Sequence, residues 1–275
     1  MLRNYIRVLY SLNGALTDVS DELQNGTGYV TPMTLNQDYI YIGQYMPFNN
    51  FFALMKVLNT TPANLTLQYF DGSTWVNVVD MIDSTKGFTK TGVIQFTPDK
   101  SNSWEVVEDT SEVSSTFELK TKKIYNLYWI RIKSSATMSL TTAIEKLTYC
   151  FCDTADLKKS FSEIDSYLPA IRPSASDWYP EIIDASEQVA IDLKGKGLIS
   201  HPGQILLFDD VSYATRLKTL INICPELGEG FVERQKFFEK EYTYAMSIKR
   251  FTLDKNKSAS IEQAELFNSV GVLER

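Results

Sequence analysis

Histidine occurs once, at His201, and cysteine three times, at Cys150, Cys152 and Cys224. So odd and sparse a thiol count makes no disulfide framework. Cys150-x-Cys152 without a neighbouring imidazole is also a poor metal site, so buried free thiols from a reducing compartment are expected. No apolar run comes near the ~18 residues of a membrane span. The opening MLRNYIRVLY has neither a long apolar core nor a small-residue cleavage site, and does not read as a signal peptide. The glycosylation-type triplets at Asn25, Asn59 and Asn64 are therefore taken as chance matches. Basic residues are outnumbered, 27 Lys and Arg to 34 Asp and Glu, giving a net charge of −7. A protein that neutralises phosphates needs the opposite balance. Short basic clusters such as Lys120, Lys122 and Lys123 read as solvated loop. Low-complexity linkers and internal repeats are missing too.

What is present is a chain of 275 residues, long enough for two ordinary domains, whose two halves follow different periods. Leu65 to Asp83 alternates apolar and polar residues on both sides of Asp71-Gly72, the pattern of a hairpin whose turn tolerates positive φ. Further strands are expected at Tyr5–Leu12, Asp38–Met46, Phe51–Leu58, Gly92–Pro98, Ile124–Lys133 and Ala143–Cys152, with loops at Asn13-Gly14 and Asp18–Gly28. With Ser103–Val107 this makes about eight to ten short strands, which argues for an antiparallel sandwich or jelly roll. From Asp153 the spacing turns helical. Leu157, Phe161, Ile164 and Leu168 share one helix face, then Trp178 to Leu193 another, and Val211, Ala214, Leu217 and Ile221 a third. A long helix follows Gly230, with Phe231, Phe238, Tyr242 and Ala245 inward, and Ile261–Phe267 adds a short last one. The fold class is α+β: a jelly-roll-like antiparallel β-sandwich over residues 1–152, then a helical bundle over 153–275.

No constellation demands an enzyme or a cofactor. A Ser200–His201 pair would need a third group and an oxyanion hole, and neighbours in sequence rarely point at each other. His201 is expected on a surface turn. Asp254, Asn256, Ser258, Ser260, Glu262 and Glu265 carry the oxygen spacing of a calcium loop, with Asp254, Asn256, Ser258 and Glu265 the principal ligands. Ala259, however, stands where the sharp turn favours Gly, so a polar turn is the simpler reading. Tyr39, Tyr41, Tyr69, Trp75, Trp104, Tyr128 and Trp129 could stack on a sugar, though such residues are more often core or interface. Lys194-Gly195-Lys196-Gly197 follows a helix rather than opening one and is no phosphate loop.

Two stretches resemble proteins of tailed phages. Tyr69-Phe-Asp-Gly-Ser-Thr-Trp75, Thr91 to Pro98, Trp104 and Tyr128-Trp-Ile-Arg-Ile132 resemble β-sandwich modules of tail and baseplate proteins. Asp177 to Ala264 looks like the helical head-to-tail adaptors. Its quoted marks are Gly195-Lys-Gly197, Tyr213-Ala214 with Leu217, Tyr242-Thr-Tyr244 and Leu253-Asp-Lys-Asn256. The attached β domain departs from the smallest adaptors. The resemblance implies a virion structural protein of the neck, assembled in the host cytoplasm as a ring of roughly twelve copies. Its partners would be the portal and tail or other neck proteins, with DNA passing the lumen unbound and no membrane contact. Leu266, Phe267, Val270, Val272 and Leu273 are the candidate docking tail. A tail or baseplate component and a carbohydrate-binding host-recognition module are the alternatives.

Overall fold

The computed structural model describes residues 7–35, 37–99, 103–248, 251–256 and 258–259. They fall into two compact units, one ending at Thr148 and the other beginning at Tyr149; residues 258 and 259 group with the first.

The first unit holds the strands. They are β1 (Arg7–Leu12), β2 (Ala15–Asp18), β3 (Tyr29–Val30), β4 (Tyr39–Gln44), β5 (Asn50–Val57) and β6 (Leu65–Phe70), then β7 (Trp75–Asn77), β8 (Asp80–Asp83), β9 (Gly92–Thr97), β10 (Val106–Asp109), β11 (Tyr125–Ser134) and β12 (Ala143–Thr148). One antiparallel sheet has the order β2-β1-β4-β11-β6-β7, with β10 also paired to β11. The other has the order β3-β12-β5-β9-β8. Inward residues of both sheets, among them Val8, Ile42, Leu67, Ile130 and Ile132 from the first and Phe51, Ala53, Ile94 and Leu147 from the second, make one buried core. Alternation explains the set, because successive side chains on a strand point to opposite faces. The expected antiparallel sandwich is therefore present.

The first sheet is covered on its other face as well. Leu9, Tyr41, Phe70 and Trp129 pack there with Val107, Phe117 and Leu119 from the segment that precedes β11. Trp129 lies over Gly43, its cross-strand partner in β4. A Cβ on Gly43 would sit 2.8 Å from the indole ring.

The Leu65–Asp83 hairpin is real in its first part only. β6 pairs with β7 through Gln68↔Asn77 and Phe70↔Trp75. The Asp71 carboxylate closes the turn by accepting from the backbone N–H of Ser73 (2.8 Å) and Thr74 (2.6 Å). The chain then changes sheets: Val78 donates to Leu67, Val79 to Thr97, and β8 pairs with β9. Asn13-Gly14, expected as loop, is a two-residue hairpin turn with both residues at positive φ, 50° and 80°, joining β1 to β2. Within the expected Asp18–Gly28 loop, Ser20–Asn25 forms helix α1, which buries Leu23 and ends on Gly26 in the left-handed region.

The second unit contains α2 (Thr154–Ser160), α3 (Leu168–Ile171), α4 (Tyr179–Gly195), α5 (Phe208–Leu227) and α6 (Val232–Ile248). Asp153 starts α2 with a reciprocal capping box to Asp156. The expected continuous helix through Leu168 is broken, because Phe161 adopts φ −148° and a short 3-10 turn follows at Ile164–Ser166. Leu157, Phe161, Ile164 and Leu168 are nevertheless all buried. The last strand stops at Thr148 rather than Cys152. Tyr149 and Phe151 join Val189, Leu193, Val211, Ala214 and Met246 in the helical core. In α5, Leu220 and Cys224 are buried while Ile221 is half-exposed, and Pro225 lies inside the last turn instead of ending it. The expected helix at Ile261–Phe267 lies outside the described residues.

Gly43→Ala should cost about 1–3 kcal/mol, because the indole must move in a packed core. Gly195→Ala, whose Cβ would meet nothing within 4 Å, should be neutral or stabilise by about 0.5–1 kcal/mol. Urea unfolding followed by tryptophan fluorescence measures both, and equal effects of the two changes would contradict the packing described.

Candidate functional site

His201 is buried, not on a surface turn. It precedes the 3-10 turn Pro202–Gln204 and caps it: its Nδ1 accepts from the Gly203 N–H at 3.0 Å. The neutral ring therefore carries its proton on Nε2. The Tyr149 ring meets the imidazole edge-on. Ser200 turns away to Gln204, whose Oε1 accepts from both the Ser200 N–H (2.6 Å) and its hydroxyl (2.8 Å). The Ser–His pair does not form a nucleophile and base. Burial, with the Lys194 charge adding, lowers the His201 pKa from 6.5 to about 4.

Gln204 also receives the segment that opens the calcium candidate. Its carbonyl accepts from the Asp254 N–H, and its Nε2 donates to the Asp254 carbonyl, each at 2.8 Å. Asp254 is buried and Asn256 exposed. Ala259 takes φ 54°, the left-handed conformation for which Gly is suited. Ser260, Glu262 and Glu265 lie outside the described residues, as do Leu266, Phe267, Val270, Val272 and Leu273. Among the described residues no group of three or more His, Cys, Asp or Glu side chains converges as a metal site. The three thiols are buried and free, and burial raises their pKa values, that of Cys224 to about 11.

The seven candidate aromatics do not share one platform. Tyr69 and Trp104 belong to the core between the sheets, with Tyr128 edge-on to Trp104. Tyr39, Tyr41, Trp75 and Trp129 belong to the opposite face of the first sheet. That face is already occupied. Arg131 lies 4.7 Å from the ring centres of both Tyr39 and Trp75. Its Nε donates to Gln68 (2.8 Å) and its Nη1 to Glu118 (2.6 Å), while Trp75 Nε1 donates to the other Glu118 oxygen (2.9 Å). Phe117 stacks on the Trp75 ring. Composition did not reveal Arg131 and Glu118 as the groups that fill this surface, because it is silent on which side chains the sheet brings together.

Asn59 is not an acceptor site either. It is buried, and its amide nitrogen donates to the carbonyls of Thr61 (2.7 Å) and Gly87 (2.9 Å). Its oxygen accepts from the N–H groups of Thr61 (3.0 Å) and Ser139 (3.1 Å), tying three loops together.

Large apolar side chains in water remain as candidate surfaces. On α6, Phe237 is 57% and Tyr244 60% exposed, and on α4 Ile191 is exposed too. Phe237 and Tyr244 are seven apart and share a helix face. No helix among the described residues is long and apolar enough to cross a membrane. Comparison with family models, curated proteins and solved structures finds no match.

The His201 shift has a signed consequence. Its folded pKa lies below its unfolded one, so the unfolded chain takes up the proton first as pH falls. Stability is full above pH 6.5 and is lost progressively towards pH 4, by about 3 kcal/mol for this one group. Urea titrations between pH 4 and 7 should show that loss reduced in His201→Asn. Identical pH slopes in variant and wild type would refute it.

Proposed function

We propose that this chain is a virion structural protein of a tailed phage: an adaptor in the neck, joining portal to tail as a homo-oligomeric ring. The observation that carries the reading is the exposure of large apolar side chains on the helical unit, Phe237 and Tyr244 on one face of α6 and Ile191 on α4. A single copy leaves these side chains in water, and a repeated contact between copies would cover them. The resemblance of Asp177 to Ala264 to adaptor helices points the same way, and a β-sandwich beside a helical unit suits a protein that touches two neighbours. In this reading the helices form the ring wall. The net charge of −7 lets DNA pass without sticking.

The test is the assembly state of the full chain, alone and mixed with portal and tail proteins, by sedimentation and negative-stain class averages. Rings of roughly twelve copies are expected. Phe237→Ser with Tyr244→Ser should shift the protein to monomers whose far-ultraviolet circular dichroism matches that of the wild-type chain, since both side chains are exposed in the single copy. Monomers under every condition would overturn the proposal.

A further inference from the structure

Strand β8 is the last strand of the second sheet and, among the described residues, pairs on one side only. The Ser84 N–H donates to the Val93 carbonyl, continuing the register that runs through Ile82↔Gln95. Ladder bonds fall on alternate pairs of antiparallel strands, so Ile82 bonds to β9 while the N–H groups of Met81 and Asp83 point to the open side. Such an edge is where a further strand can add. Beside it lies a cavity of about 630 Å³. Pro62, Ala63, Leu65 and Met81 supply its apolar lining, Asp83 and Lys86 its charges. Leu65 and Met81 also pack with the core between the sheets, so the cavity lies where β6 of one sheet and β8 of the other part.

The two charges are not equivalent. Asp83 is committed within its own turn: Oδ1 accepts from the Thr85 N–H (2.8 Å) and hydroxyl (2.5 Å), and Oδ2 from the Gly87 N–H (2.8 Å). Lys86 is exposed and has no ion-pair partner among the described residues. Its backbone is held against its own preference. Lys86, Gly87 and Phe88 take φ of 52°, 70° and 63°, three left-handed residues in a row, of which only Gly87 lacks a Cβ. Asn59 holds the turn by donating to the Gly87 and Phe88 carbonyls, each at 2.9 Å, and the Phe88 side chain is fully buried. A Cβ on Gly87 would stand 2.1 Å from the Ala63 carbonyl oxygen, so this turn is fixed against the cavity wall. Backbone strain maintained by so many contacts fixes where the residue beside it stands, and that residue is Lys86.

We propose that this groove seats an extended segment of a partner protein, which pairs with β8 and sets an acidic side chain against Lys86. The open N–H groups call for an extended backbone, the apolar lining for an apolar residue next to the acidic one, and the unpaired ammonium for a carboxylate. The seat is independent of the ring, so failure of either reading leaves the other standing.

Fluorescence anisotropy on the full chain tests it, with a labelled, end-blocked peptide of alternating threonine and valine around one central glutamate. This peptide should bind wild type at least ~3-fold more tightly than its lysine counterpart, and Lys86→Glu should invert the preference. Lys86 is exposed, so the variant should keep the wild-type circular dichroism spectrum. N-methylating alternate amides of the peptide leaves its side chains in place, and in the set that faces β8 should weaken binding at least ~10-fold. No binding at about 1 mM peptide, a preference that Lys86→Glu leaves unchanged, or tolerance of N-methylation in both sets would overturn the proposal. An assembly of the chain with itself that Lys86→Glu dissolves would make a second copy the occupant and reject the partner segment.

Discussion

Strand β11 has to satisfy two cores at once, and most of the sandwich unit follows from that. Ile130 and Ile132 point into the core between the sheets, while Trp129 packs on the outer face. Arg131 follows Trp129 on that same side, with its side chain only 14% exposed. A guanidinium so enclosed must be paired, because an isolated charge there costs several kcal/mol. Glu118 supplies the pairing charge, Gln68 a further acceptor, and the rings of Tyr39 and Trp75 the two faces. The segment carrying Glu118 is thus held over the sheet by charge as well as by Phe117 and Leu119. Gly43 fits the same demand, since any larger residue would displace Trp129.

This arrangement also decides what the aromatic residues are for. Stacking on a sugar needs an open ring face with polar groups at its rim. Trp75 has one face against Phe117 and its nitrogen bonded to Glu118. The alternation of Leu65 to Asp83 foretold extended backbone correctly but not its partners. Alternation reports which side chains share a face, and it is silent on which sheet the strand joins. Hence one apparent strand divides at Val78 and Val79 between two sheets. Asn13-Gly14 carried as strong a turn signal as Asp71-Gly72, yet the short ALTD strand after it lacks an apolar alternation to announce it.

In the helical unit, burial was legible and continuity was not. The four residues spaced from Leu157 to Leu168 all reach the interior, yet through three short pieces of chain. A spacing of three and four residues is kept by any compact path that returns the chain to one core, and a single extended residue, Phe161, is enough to break the helix. His201 was misjudged for a related reason. A polar residue in a turn reads as exposed, but this one is buried with its Nδ1 committed to the turn it caps. The Asp254 backbone is tied to Gln204, and the His201 ring to Gly203. The same holds for Asn59, which looks like a modification site and works as a knot between loops.

Besides these polar groups, the described residues expose large apolar side chains. Burying one side chain such as Phe237, Tyr244 or Leu140 is worth about 1.5–3 kcal/mol. Association of two free chains costs more than any one of them returns, on the order of 4–15 kcal/mol. A cover for the two rings of α6 would therefore have to bring further contacts with it, as an interface repeated between copies would.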